Sequence, residues 1–141
     1  MYDEILLEHN LHPRFQGRIP GVEPITLVNA GCGDELKVFL KIKNGRVLDG
    51  RFSGNGCAIS KASADLFIAA IKGKDLRMVG EIKEIFEKMI VGEATEKQIE
   101  RIGDLAALKS VSRMPARAKC AKLAWESLDK MTVEDLKNAY A

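Results

Sequence analysis

Three cysteines and one aspartate carry most of the chemistry this 141-residue chain can offer. Cys32 and Asp34 stand two residues apart in "NAGCGDELKVFLKI", Cys57 follows "FSGNG", and Cys120 closes "PARAKC". Three thiolates and one carboxylate make a complete four-coordinate set. Zinc accepts thiolates and an occasional carboxylate in a tetrahedron; an iron–sulfur cluster also takes thiolates, and an oxygen donor would weaken one corner of it. Spacing alone leaves the choice open. There is no C-x-x-C, and an isolated cysteine is ordinarily a small buried hydrophobe. Both metal readings share one electrostatic demand, because four anionic ligands on a dication leave a local charge of about −2. "SRMPARAKCAK" places Arg113, Arg117, Lys119 and Lys122 near Cys120, although such a run also reads as a solvated helix face.

Rival chemistries fare worse. A cysteine nucleophile needs an oriented histidine beside it, and only His9 and His12 exist, both flanking an N-terminal loop and both expected at the surface. "SGNGC" lacks the Lys-Ser/Thr ending of a phosphate loop. A formal charge of +2 is too small for a nucleic-acid partner. No stretch approaches the ~20 apolar residues of a membrane span, and "MYDEILLEHN" has no signal-peptide run. The expectation is a cytoplasmic protein with neither nucleic acid nor membrane as partner, in a reducing compartment where a structural disulfide is not expected.

These residues must be positioned by a small number of elements. Residues 2–10 read as a short helix with acids in its first turn, and 12–24, with three prolines and two glycines, as a loop. Strand signals follow at 25–29, 35–43 and 46–53; in the second, Leu36, Val38, Leu40 and Ile42 alternate with Lys37, Phe39, Lys41 and Lys43. "KNGR" closes a hairpin. A two-residue loop would pair Leu40 with Asp49 and Val38 with Arg51, whereas a three-residue loop, 43–45, pairs Leu40 with Leu48 and Leu36 with Phe52. The apolar pattern prefers the second.

Helical periodicity then takes over: 57–72, stopped by Gly73, and 75–90. A polar stretch ends in a short helix near 105–111, Pro115 opens a helix to about residue 130, and Thr132 caps a tail helix to Tyr140. Cys57 thus opens a helix, whose free N–H groups and positive dipole end suit a thiolate. Cys120 falls in the second turn of the Pro115 helix, and the glycines beside Cys32 and Cys57 allow a close backbone wrap. The fold class expected is α+β: a single domain over 1–141, with a small three-stranded antiparallel sheet packed on one side by several helices, strands first and helices after.

"NAGCGDE", "FSGNGCAISKASADL" and "PARAKCAKLAW" resemble the three signature blocks of the U-type iron–sulfur assembly family, which holds NifU N-terminal domains, IscU scaffolds and SufU proteins. "ILLEHNLHPRFQGRI" is similar to the family's N-terminal segment, so the likeness covers most of the chain. IscU-type scaffolds carry a histidine before the third cysteine and a Leu-Pro-Pro-Val-Lys stretch; here Lys119 stands there, and the stretch is missing. Residues 92–113 look like the insertion of SufU-type members. The resemblance implies a zinc-dependent sulfurtransferase that accepts persulfide sulfur from a SufS-type cysteine desulfurase, feeding the iron–sulfur assembly machinery. Cys32, Asp34, Cys57 and Cys120 would be the zinc ligands. Cys32 would also be the thiol that leaves the metal to take sulfur, and Arg117 would face the partner or that thiol. The alternative is a scaffold that builds a [2Fe–2S] cluster on the same four ligands. Two departures stand out: Ala30 replaces a usual proline, which loosens the loop before Cys32, and Lys61 takes a usually small or apolar position one turn after Cys57.

Overall fold

The structure, a computed structural model, describes residues 2–31 and 33–131. Cys32 and the expected tail helix from Thr132 lie outside the described residues. Helix α1 (Tyr2–Leu11) carries Asp3 and Glu4 in its first turn, where they complement the helix dipole. A loop leads to strands β1 (Ile25–Asn29), β2 (Asp34–Lys43) and β3 (Arg46–Asn55), followed by α2 (Ala58–Ile71), α3 (Leu76–Ile90), α4 (Glu96–Arg101), a 3-10 helix (Gly103–Arg113), α5 (Pro115–Lys122) and α6 (Glu126–Asp129). The sheet is antiparallel in the order β1-β2-β3. The α+β expectation holds, with the strands grouped ahead of all helices except α1.

The hairpin follows neither register expected from the sequence. Lys43 pairs with Arg46, so the loop is the two-residue Asn44-Gly45, with φ of +53° and +70°, the left-handed pair that a type I′ turn demands. A bulge between Lys41 and Ile42 then shifts the ladder, so that Leu40 pairs with Gly50, Val38 with Phe52 and Leu36 with Gly54. The extra residue is Leu48, which is exposed, while Val47 on the same strand is buried. The bulge restores the phase that the short turn would have lost, returning Phe52 to the buried face beside Val38.

Packing on that face is close. A Cβ at Gly50 would stand 2.9 Å from Ile68 of α2, so a bare backbone there lets α2 settle on the sheet. Leu27, Leu36, Val38 and Phe52 meet Phe67, Ile68 and Ile71 of α2, and the cluster extends through Phe86 to Trp125. Trp125 stacks on Phe86 at 4.3 Å between ring centroids. Phe39 departs from its expected place among exposed lysines: it lies on the opposite face yet is buried, as is Ile19 of the loop before β1. The sheet is therefore not wholly solvated on its second side.

Three helical expectations need correction. The polar stretch after α3 holds a helix, α4, closed at its start by a capping box in which Thr95 and Gln98 exchange hydrogen bonds. The short helix expected at 105–111 is a longer 3-10 helix. The helix begun at Pro115 stops at Lys122 rather than near residue 130, and α6 resumes only at Glu126. Leu123, Ala124 and Trp125 between them are all buried. The chain tightens there, with N–H groups of Leu123, Glu126, Ser127 and Leu128 each bonding three residues back.

Candidate metal centre

One end of the sheet gathers the candidate ligands. Asn29 ends β1 opposite Asp34, the first residue of β2, and β3 ends at Asn55, opposite Glu35. Two residues later Cys57 is the N-cap of α2, in an extended conformation. Gly56 makes the approach possible: a Cβ there would stand 3.0 Å from the Ser60 Cβ, already tighter than ordinary van der Waals contact. Cys120 arrives from α5, buried at 3% exposure, with α5 packed on α2.

A carboxylate oxygen of Asp34 and the Sγ atoms of Cys57 and Cys120 all lie within 4.8 Å of one another. Ligands about 2.0–2.3 Å from a tetrahedral zinc are separated by roughly 3.3–3.8 Å, so a small contraction closes this set on an ion. The donor chemistry fits: two soft thiols and one hard carboxylate from three elements. Residue 33 is a glycine at φ +71°, and Cys32 itself lies outside the described residues.

Asp34 is buried at 3% exposure, and its carboxylate is well provided with donors. Oδ1 accepts the Cys57 N–H at 2.9 Å and Oδ2 accepts the Ser60 hydroxyl at 2.7 Å. Burial pushes its carboxyl pKa up, but hydrogen bonds from the Ser60 hydroxyl, the Cys57 N–H and the Cys120 and Cys57 side chains outweigh it and hold the group below the usual carboxylate range. The Cys57 sulfur accepts the Ser60 N–H at 3.4 Å, and Asn29 Nδ2 approaches the Cys120 sulfur at 3.8 Å. The two described cysteines differ in access, since Cys57 is exposed and Cys120 buried.

A depression of about 330 Å³ opens beside the cluster, lined by Cys57, Ala58, Ile59, Ala116, Arg117 and Cys120. Arg117 is exposed on its rim; of the neighbouring basic residues, Arg113 and Lys119 are also exposed, while Lys122 and Lys61 are half-buried. The histidines divide. His12 is exposed as expected, whereas His9 is buried at 6% exposure and bonds through Nδ1 to Asp65 at 2.5 Å, so it serves the interior and not the surface. Ser60 is the residue that sequence reasoning missed at the centre; the signal for it was a small hydroxyl three residues after a helix-opening cysteine, the position from which an N–H reaches the cap.

Comparisons with known proteins agree with this geometry. Residues 1–128 match the NifU-like N terminal domain. The chain is 37% identical over 130 residues to the zinc-dependent sulfurtransferase SufU of Bacillus subtilis, covering 92% of this chain and 88% of that one. It is 34% identical over 128 residues to the iron–sulfur cluster assembly scaffold protein IscU of Streptococcus pyogenes, covering 91% and 80%. Among solved structures, FiSufU from Fervidobacterium islandicum, assigned as an iron–sulfur cluster assembly scaffold for the SUF system, superposes with a TM-score of 0.79 at 30% identity, covering 89% of this chain and 92% of that one.

Proposed function

Because the chain belongs to the NifU-like N-terminal domain family of iron–sulfur cluster assembly proteins, we propose that it is a cytoplasmic, zinc-dependent sulfurtransferase that takes persulfide sulfur from a SufS-type cysteine desulfurase. The observation that carries this reading is the convergence of Asp34, Cys57 and Cys120 within 4.8 Å at the sheet end, beside the loop that holds Cys32. Those four residues would bind zinc, which when bound keeps its thiols deprotonated and guards them from oxidation. Lys119 in place of a histidine before Cys120 supports the SufU type, as does the 92–113 segment read as its insertion.

In the transfer itself, the Cys32 thiolate attacks the outer sulfur of the desulfurase persulfide. The sulfur–sulfur bond to the enzyme's cysteine breaks, that cysteine departs as a thiolate, and the sulfur remains on Cys32 as a new persulfide with no net oxidation. Arg117, exposed on the rim of the depression, would meet the anionic persulfide or the partner's surface. Asp34, already held by two donors, keeps its place while the exchange proceeds. A second reading draws on the scaffold named in Streptococcus pyogenes: the same residues would assemble a [2Fe–2S] cluster.

Metal analysis and desulfurase assays on one preparation separate these readings. Zinc-dependent sulfurtransfer predicts stoichiometric zinc and faster sulfide release by a cognate desulfurase; a coloured, transferable cluster after anaerobic purification would instead establish the scaffold. Cys32→Ser is expected to reduce the stimulation to the level of the desulfurase alone. Full stimulation by that variant would remove Cys32 from the transfer.

A further inference from the structure

Ser60 touches two of the three gathered ligands at once. It is completely buried, its hydroxyl lies 2.7 Å from Asp34 Oδ2 and 3.4 Å from the Cys57 sulfur, and its own N–H lies 3.4 Å from that sulfur. A serine hydroxyl has a single proton to donate. An ionised Asp34 accepts it at the shorter distance, so the division of labour is set: the hydroxyl holds Asp34, and the main-chain N–H holds Cys57.

We infer that Ser60 is a positioning residue, which fixes Asp34 in the orientation that meets a metal ion together with Cys57 and Cys120. This inference rests on the metal-binding reading above. Two of Asp34's tethers to the start of α2 do not depend on a thiol proton. One, the Cys57 N–H, belongs to the backbone and survives any side-chain change. The other is the Ser60 hydroxyl, which keeps Oδ2 from swinging. Without it, and with the Cys57 and Cys120 thiols deprotonated towards a metal, the Cys57 N–H is the donor left to hold the carboxylate, and the hard ligand is the one loosened. The thiolate tether from the Ser60 N–H is untouched, so Ser60→Ala isolates the effect on Asp34. Outer residues that orient a ligand in this way are typically worth about 10–100-fold in metal affinity.

Zinc binding, measured by competition with a chromophoric chelator, tests this without any activity assay. Ser60→Ala deletes one oxygen from a packed site, and the melting temperature of the metal-free chain confirms that the variant folds. It is expected to bind zinc about 10–100-fold more weakly than the unaltered chain, with a changed cobalt(II) ligand-field spectrum. In an Asp34→Ala background, the same substitution is expected to alter zinc affinity by less than about twofold, because the group it acts through is gone. Ser60→Ala at unaltered affinity would overturn the inference, as would a loss of equal size in both backgrounds, which would mark a general packing role. Failure of the unaltered chain to bind zinc or cobalt would overturn the metal-binding reading itself, and this inference with it.

Discussion

Asp65→Ala is expected to cost the folded protein roughly 3–5 kcal/mol, the range for removing one member of a buried charged network. Asp65 sits in the middle of α2 with no solvent exposure. Its Oδ1 accepts the N–H groups of Arg14 at 2.9 Å and Phe15 at 2.8 Å, and its Oδ2 accepts from His9 Nδ1 at 2.5 Å. One carboxylate thereby fastens both α1 and the loop after it onto α2. From there the loop reaches β3, where the Phe52 N–H bonds to the Phe15 carbonyl and the Gly17 N–H to the Phe52 carbonyl. Alanine would strand two main-chain donors and a buried imidazole, each an uncompensated polar group. Asp65→Asn keeps an acceptor for the two N–H groups and obliges only His9 to change its proton arrangement, so about 1–2 kcal/mol is expected. Denaturant melts of the two variants check the ranking, and equal losses would show that the Arg14 and Phe15 contacts contribute nothing. Asp65 lies eight residues, or about 12 Å of helix, beyond Cys57. The folded fraction of either variant should therefore still bind zinc as the unaltered chain does.

The candidate ligands could be singled out in the sequence because several sit where periodicity changes, while their grouping into one set came from the resemblance to the U-type assembly family. Asp34 immediately precedes a clean two-residue alternation, Cys57 stands at the switch to helical spacing, and Cys120 follows a proline suited to a first helical turn. What was illegible depended on partners distant in the chain or on packing. His9 and Asp65 are 56 residues apart, and a lone histidine before a loop gives no hint of a carboxylate on another helix. The bulge at Leu48 escaped because a turn and a bulge shift register in compensating ways, and only the observed pairing of Val38 with Phe52 reveals both. The break after Lys122 left no such signal: Leu-Ala-Trp is apolar on three successive positions, but α2 buries residues 62–68 in one continuous helix. The role of Cys32 rests on the sequence resemblance, since that residue lies outside the described residues.

Gly54→Ala is expected to damage both the fold and the metal centre. Gly54 has φ +116°, a region that L side chains rarely adopt and that costs of order 1–3 kcal/mol when forced. Relaxation is blocked, because the new Cβ would stand 2.2 Å from the Glu35 carbonyl oxygen and 3.1 Å from the Leu36 Cα. Both obstacles are backbone atoms of the paired strand, so the β2–β3 ladder must part at its end. The loss of its terminal hydrogen bonds adds about 1 kcal/mol each, for a total of roughly 3–5 kcal/mol. The part of the ladder that opens is the part that sets the site. Asp34 begins β2 one residue before Glu35, and Cys57 follows β3 two residues after Asn55, its N–H bonded to Asp34. Parting the strands there separates the carboxylate from the thiol. A core substitution of comparable cost far from this end, such as Ile85→Ala on α3, provides the comparison. At a temperature where both variants remain folded, Gly54→Ala is expected to lose zinc affinity by at least about 100-fold, more than loss of a single orienting hydrogen bond costs, while Ile85→Ala retains it. Equal zinc affinity in the two variants would show that the strand end does not position the ligands, and that α2 and α5 hold the centre by themselves.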